Sequence, residues 1–218
     1  MKSVLIAGLG TFGKYAARKM MELDNEVMAV DIDENDVNEI LPYVTGAMIG
    51  DSTNEEFLRS LGANNYDVCL VAIGENFEAS LETTALLKDL GAPTVISLAN
   101  SDAQAKLLKK IGADEVVYPD RQLAEWTAIT YSSTNIFDYI KLGNDYAIYE
   151  LAVPEKWVGK NLIELDVRQK YHVSILALKS GDSLNMTIDP SRPFKPGNRV
   201  LVLGKEKEIR TTFKSVMK

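Results

Sequence analysis

The 218-residue chain holds one cysteine, Cys69, and one histidine, His172. A lone cysteine cannot close an internal disulfide, and one His with one Cys makes neither a His/Cys metal cluster nor a Cys/His catalytic pair. Cys69 stands inside the apolar run Val68-Cys-Leu-Val-Ala72, the setting of an inert core thiol. Any metal has to take oxygen ligands, which points to hard cations such as Mg²⁺, Ca²⁺ or Na⁺. Base is scarce too: 24 Lys and Arg against 31 Asp and Glu leave a net charge of −7. Without a basic helix or a helix-turn-helix, such a chain is a poor binder of nucleic acid or anionic membrane, and no nucleic-acid partner is expected. No apolar run approaches the roughly 18 residues of a membrane helix, so direct membrane insertion is not expected. The opening residues enter a strand without a secretory leader, and a cytoplasmic location is expected.

What is present is a phosphate-type turn. Lys2-Ser-Val-Leu-Ile-Ala-Gly-Leu-Gly-Thr-Phe-Gly13 reads as a buried strand over 4–7 running into a glycine-rich turn and a helix. Gly8, Gly10 and Gly13 fit the spacing G-x-G-x-x-G, with Thr11 and Phe12 between the last two. Such glycines permit a tight turn, close approach to a pyrophosphate, and close packing of helix on strand. The helix start adds free N–H groups and a positive dipole end. Phe12, Ala16, Met20 and Leu23 recur at helical spacing, and Glu26-Val-Met-Ala-Val-Asp31 is an apolar second strand ending in an acid. Asp31 lies 18 residues past Gly13 (31 − 13), about where a dinucleotide fold places the carboxylate that takes the ribose hydroxyls and repels a 2′-phosphate.

The rhythm continues. Helices are expected over 33–41, 54–61, 78–90 and 102–111, and strands over 46–49, 68–72, 94–98 and 115–118, the last closed by Pro119. Three helices end in Leu61-Gly-Ala63, Leu90-Gly-Ala92 and Ile111-Gly-Ala113, each glycine suited to a left-handed C-cap. Alternating strands and helices mean an α/β, Rossmann-like, doubly wound parallel sheet with right-handed crossovers. Ligands of such a sheet sit beyond the carboxyl ends of the strands. Those ends carry Gly8 to Gly13, Asp31-Ile32-Asp33, Gly50-Asp51-Ser52-Thr53, Ala72-Ile73-Gly74-Glu75-Asn76 and Asn100, which are expected to converge on one crevice.

Past Pro119 the pattern changes. Residues 121–131 read as a crossover arm helix with Leu123, Trp126, Thr127 and Thr130 on one stripe. A small α+β lobe follows, with strands over 147–153, 173–179 and 199–203, a short helix over 162–165 and a last helix over 206–216. The expected domains are therefore 1–135 and 136–218. The second is small enough to gain from pairing with a copy of itself. Trp126 and Trp157 read as packing anchors rather than stacking platforms.

A nicotinamide-dependent oxidoreductase is the alternative from another class. It shares the glycine loop and Asp31, and Tyr15-Ala-Ala-Arg-Lys19 has the Tyr-x-x-x-Lys spacing of short-chain reductases. That pair falls in the helix directly after the phosphate loop, away from the strand ends where a proton donor must meet substrate, so no enzyme activity is expected.

Taken in order, Gly8-Leu-Gly-Thr-Phe-Gly13, Asp31-Ile-Asp33, Gly50-Asp-Ser-Thr53, Leu70-Val-Ala-Ile-Gly-Glu-Asn76, Ile111-Gly-Ala-Asp114 and Tyr118-Pro-Asp120 resemble the RCK (KTN) regulatory family of Ktr/Trk-type potassium uptake systems. The stretch Gly159 to Arg168, followed by Ile175-Leu-Ala-Leu178, is similar to that family's second lobe. The resemblance implies a first lobe that binds an adenine nucleotide (ATP or ADP, NAD or NADH). It further implies homodimers, an octameric ring of dimers, and an integral membrane potassium channel or transporter as partner at the inner face of the plasma membrane. It implies that Asp31 and Asp33 hold the ribose, that Asp51 and Ser52 approach the adenine, and that Glu75 and Asn76 line the crevice. In the second lobe it implies a cyclic di-AMP site, with Arg168 on the phosphates, Ile163, Ile175 and Pro193 as an apolar wall, and Ser174 where family receptors tend to have Asn. The chain departs from the family at Thr11, where nucleotide-gated members often carry Arg, and at Asp120, where they carry a cation-binding Glu.

Overall fold

The computed structural model describes residues 1–215 and residue 217, which fall into two compact units, Met1–Arg121 and Gln122–Lys218. The division comes earlier than the expected 135/136 and lies within the arm helix, most of which belongs to the second unit.

In the first unit, β1 (Ser3–Ala7), β2 (Glu26–Asp31), β3 (Gly46–Ile49), β4 (Val68–Val71), β5 (Val95–Leu98) and β6 (Glu115–Val117) form one parallel sheet in the order β3-β2-β1-β4-β5-β6. The strands are apolar on both faces because helices cover both. Val4 and Ile6 of β1 join Ala17 of α1 (Thr11–Glu22) and Val37 of α2 (Glu34–Ile40). Leu5 and Ala7 join Leu58 of α3 (Glu55–Ser60) and Leu87 of α4 (Phe77–Asp89) on the other face, and α5 (Asp102–Lys110) covers the far edge with Leu108. Cys69 is buried there, and desolvation pushes its thiol up to about 12, as an inert core thiol requires. Gly62, Gly91 and Gly112 all take positive φ, +68°, +85° and +114°, as the repeated Gly-Ala endings predict. From β1 the strands run outward to β3, then start again at β4 on the other side of β1. That reversal opens a crevice at the carboxyl ends of β1 and β4.

One expectation about α1 fails. Its buried face centres on Gly13 and Ala17, with Ala16, Met20 and Met21 packed beside them, while Phe12 and Leu23 are exposed. Tight contact of Gly13 with the strand loop turns the helix so that its first apolar residue faces outward.

The second unit begins within α6 (Pro119–Thr130). Pro119, expected to close β6, is instead the first residue of α6, where its missing N–H is no loss. An antiparallel sheet of order β10-β9-β11-β8-β7 follows, built from β7 (Ile136–Gly143), β8 (Tyr146–Ala152), β9 (Ser174–Ser180), β10 (Ser183–Asn185) and β11 (Arg199–Lys205). The helices α7 (Leu162–Leu165), α8 (Val167–Tyr171) and α9 (Glu206–Thr212) complete the unit. Its core gathers around Trp157, 1% exposed, with the rings of Tyr171, Phe194 and Phe213 at 5.7, 6.0 and 5.1 Å. Trp126 is 36% exposed, so of the two tryptophans only Trp157 is a core anchor. The strands β7 and β10 and the helix α8 are additions to the expected lobe, and the expected end of the last helix at Val216 lies outside the described residues.

Candidate functional site

The glycine loop is set by contacts that leave no alternative residue. Gly8 has φ +100°, and a β-carbon there would stand 2.8 Å from the Ala72 carbonyl carbon. A β-carbon on Gly13 would overlap the Gly8 carbonyl oxygen. Gly10, by contrast, faces open space, with nothing within 4 Å of where its β-carbon would be. The two outer glycines are thus needed by the fold, and the middle one keeps a surface clear. Gly10 is also the residue before α1 and offers no side-chain cap, so the first N–H groups of that helix are turned to the loop's open side.

Asp31, at the end of β2, ties the loop in place. One carboxylate oxygen accepts from the Leu9 N–H at 2.5 Å and the other from the Asp33 N–H at 2.9 Å. Each oxygen keeps a further lone pair for a ligand hydroxyl. Asp33 caps α2 by accepting from Asn35 N–H at 2.7 Å, and it does not line the cleft. Asp51 accepts from the hydroxyl and the N–H of Thr53, at 2.7 and 2.9 Å, and these bonds hold its carboxyl below the usual range. The Ser52 hydroxyl is 2.9 Å from that of Thr83 and Ser52 is buried, so the hydroxyl is engaged by α4. Asn76 caps α4 through the Ala79 N–H. Asn100 donates to the Gly74 carbonyl at 2.5 Å, which steadies the loop from behind.

These elements enclose a cleft of about 510 Å³. Of the expected residues, Gly8, Gly10, Asp31, Ile32, Asp51, Ser52, Thr53, Ala72, Ile73, Gly74, Glu75 and Asn76 line it. Phe12, Gly13, Asp33 and Asn100 do not line it, and Thr11 lines a neighbouring hollow of about 380 Å³ with Lys14, Tyr15 and Arg18. Asp36, Glu78 and Glu82 line the cleft and were not expected. For two of the three the sequence holds a signal: Glu78 and Glu82 are four apart, hence on one face of a helix that starts at a cleft residue. In the hollow, Lys14 pairs with Asp36 at 2.8 Å and with Glu39, and Arg18 stacks on the Tyr43 ring at 4.3 Å.

In the second unit, Ile163, Arg168, Ser174 and Ile175 line a groove of about 350 Å³ together with Asp166 and Val173. Asp166 takes φ +47° between α7 and α8, which turns α8 toward the groove's edge. Arg168 makes no hydrogen bond or ion pair among the described residues. The neighbouring Glu164 is engaged with Asn161 in a capping box. Pro193 is exposed and lies outside the groove. Asp120, in the first turn of α6, is exposed, and among the described residues no group of three His, Cys, Asp or Glu side chains is assembled to hold a metal. Tyr15 and Lys19 are on α1 outside the cleft, and the Lys19 ammonium is bonded to Glu22 at 2.8 Å.

Two domain families match this chain, the TrkA-N domain over residues 4–119 and the TrkA-C domain over residues 146–217. The chain is 38% identical over 216 residues to Ktr system potassium uptake protein C of Bacillus subtilis (strain 168), which takes in 99% of this chain and 98% of the relative. It is 36% identical over 209 residues to Ktr system potassium uptake protein A of the same organism, 96% and 94% of the two chains. Among solved structures, the GsuK channel bound to NAD superposes with a TM-score of 0.69 at 16% identity, over 100% of this chain and 39% of that one. This chain therefore spans about two-fifths of the channel chain, and a likeness at that identity is a likeness of fold.

Proposed function

We propose, from the premise that this chain belongs to the family of TrkA-N/TrkA-C regulatory subunits of Ktr-type potassium uptake systems, that it gates a membrane potassium channel or transporter in response to an adenine nucleotide bound in its first unit. The observation that carries the reading is the pairing of an open Gly10 with an Asp31 already aimed and held by two backbone N–H groups. The phosphates lie over Gly10 and the start of α1, the ribose meets Asp31, and the adenine lies toward Ile32, Asp51 and Thr53. The fold it shares with a channel solved with NAD supports a nicotinamide dinucleotide as one such ligand.

The protein works in the cytoplasm against the inner face of the membrane, a reading supported by its relatives being Ktr system potassium uptake proteins. It acts as a homodimer or a ring of dimers, a reading favoured by Leu123, 62% exposed, and Trp126 on α6. A cation at Asp120 takes its remaining ligands from another copy of the chain. Arg168, without a hydrogen bond or ion pair among the described residues and beside Ile163, Ser174 and Ile175, supports a second ligand of cyclic di-AMP type. The reading is of a regulator rather than an enzyme, supported by relatives that are potassium uptake proteins and by Tyr15 and Lys19 not being among the residues that line the cleft.

A thermal-shift panel of ADP, ATP, NAD, NADH and cyclic di-AMP tests the binding, because a ligand that binds only the folded state raises the midpoint. Potassium uptake by cells carrying the membrane subunit with and without this chain tests the gating. Unchanged midpoints across the panel, or uptake indifferent to the chain, overturn the proposal.

A further inference from the structure

The charge on the cleft wall points one way. Six carboxylates line it: Asp31, Asp36, Asp51, Glu75, Glu78 and Glu82. Neither Lys nor Arg lines it among the described residues. The nearest cations are in the adjoining hollow, where Lys14 is taken by Asp36 and Glu39 and Arg18 lies 3.6 Å from Glu39 against the Tyr43 ring. Thr11, first in α1 and nearest the loop, brings no charge. Within one chain, the positive partners for ligand phosphates are therefore the N–H groups of the loop and of α1. That supply is fixed and short in range, since the helix-end effect fades within a turn. One pyrophosphate can be met in this way. A further phosphate gains no new partner and adds repulsion from Glu75, Glu78 and Glu82.

We infer that this cleft selects its nucleotide by low charge: it favours dinucleotides such as NAD and nucleoside mono- or diphosphates, and it discriminates against the free triphosphate. The inference rests on the nucleotide reading of the cleft and sharpens it. Electrostatic selection of this kind weakens with salt, because the cleft is open to solvent and screening sets in within about 8 Å at physiological ionic strength. It is also graded, since each phosphate added to a common adenosine adds charge without changing what sits at Asp31.

The test is equilibrium binding of AMP, ADP, ATP and NAD to the full chain in a chelator-containing buffer, at low salt and at high salt. Expected at low salt is an affinity that fails to rise from AMP to ATP, with NAD bound about tenfold more tightly than ATP. The gap should close as salt is raised. Glu78→Gln with Glu82→Gln, both at exposed positions of α4, should recover most of the ATP affinity and leave NAD within about twofold. The unchanged thermal midpoint of that double variant excludes a folding defect. ATP bound most tightly at low salt, or a gap that does not respond to salt and to the double variant, overturns the inference. Saturable binding of none of the four overturns the nucleotide reading itself, which is a different result.

Discussion

In the first unit Asp31, Asp51, Ser52 and Asn76 at the cleft are already bonded to the protein, whereas Arg168 at the second unit's groove makes no hydrogen bond or ion pair among the described residues. The cleft is a backbone construction: glycines set its shape, and Asp31, Asp51 and Asn76 spend hydrogen bonds on holding loops. The groove is a side-chain construction on a turn, with an exposed cation and short apolar walls. Sensitivity to mutation should follow the same division. Changes that add one methyl group should damage the first unit, and changes that remove one side chain should silence the second without loosening it.

The largest contrast should come from glycines. Gly13→Ala forces a methyl group into the Gly8 carbonyl oxygen, backbone against backbone, and should destabilise the first unit by about 3 kcal/mol or more. Gly159→Ala in the second unit meets no atom within 4 Å and is penalised only by its φ of +81°, about 1–2 kcal/mol. Gly10→Ala should leave stability nearly intact and abolish nucleotide binding, since its methyl group enters only the space kept for phosphate. Chemical denaturation of the three variants, with and without nucleotide, checks the set. A Gly13→Ala protein as stable as the wild type would remove the backbone account of the cleft.

Next in size is Asp31→Ala. Its carboxylate serves two loop N–H groups and the proposed ribose, so nucleotide affinity should fall by about 1.5–3 kcal/mol, the scale of a charge-assisted hydrogen bond. Calorimetry on the folded variant decides. Unchanged affinity would mean that Asp31 is a loop anchor alone.

The two units also differ in how far they could be read from sequence. The parallel sheet was legible strand by strand, because buried parallel strands are continuous apolar runs and each helix carries its own start and stop signals, such as Asn54, Asn76, Gly62 and Gly91. In the second unit β7 was missed. Ile136 and Tyr139 are buried but the bulged register breaks strict alternation, and Ile140 and Leu142 are exposed. The better signal lay in the turn: Asn144 and Asp145, at φ +51° and +64°, are a two-residue hairpin loop of the kind those residues favour. At the cleft the strand ends are the direct signal, and Glu78 and Glu82 follow only from the further step of asking which face of α4 continues from the cleft residue Asn76. Ser52 lines the cleft while its hydroxyl goes to Thr83, because sequence gives the position of a residue and not its rotamer.

Arg168→Ala inverts the pattern. An exposed side chain with no partner among the described residues carries little stability, so unfolding should shift by less than about 0.5 kcal/mol. Binding of labelled cyclic di-AMP should nonetheless fall by about tenfold or more, since a guanidinium fork on a phosphodiester is a strong contact. Wild-type protein without saturable binding at tens of micromolar ligand would leave the groove as a structural turn.

The smallest effect concerns one motif that the two units share. Asp51 accepts from the hydroxyl of Thr53 at 2.7 Å and its N–H at 2.9 Å, and Asp189 accepts from the hydroxyl of Ser191 at 2.6 Å and its N–H at 2.9 Å. In both, the hydroxyl is the larger cause and the backbone bond the second, and both carboxyls are held below the ordinary aspartate value. The sign follows from the ionised form being favoured by folding. The stabilisation is present above the unfolded value of about 3.9 and is lost as pH falls through the lower folded value, so neither turn weakens until the solution is more acid than about pH 4. Carboxyl-carbon NMR titration should give both groups depressed midpoints, with Thr53→Val raising only that of Asp51 and Ser191→Ala only that of Asp189. Saturating nucleotide then separates the two, because Asp51 lines the cleft and Asp189 does not. Adenine packed beside Asp51 takes water from its carboxylate, which raises the Asp51 midpoint and leaves Asp189 where it was. Equal displacement of both, or of neither, would detach Asp51 from the nucleotide site while leaving the glycine loop's role untouched.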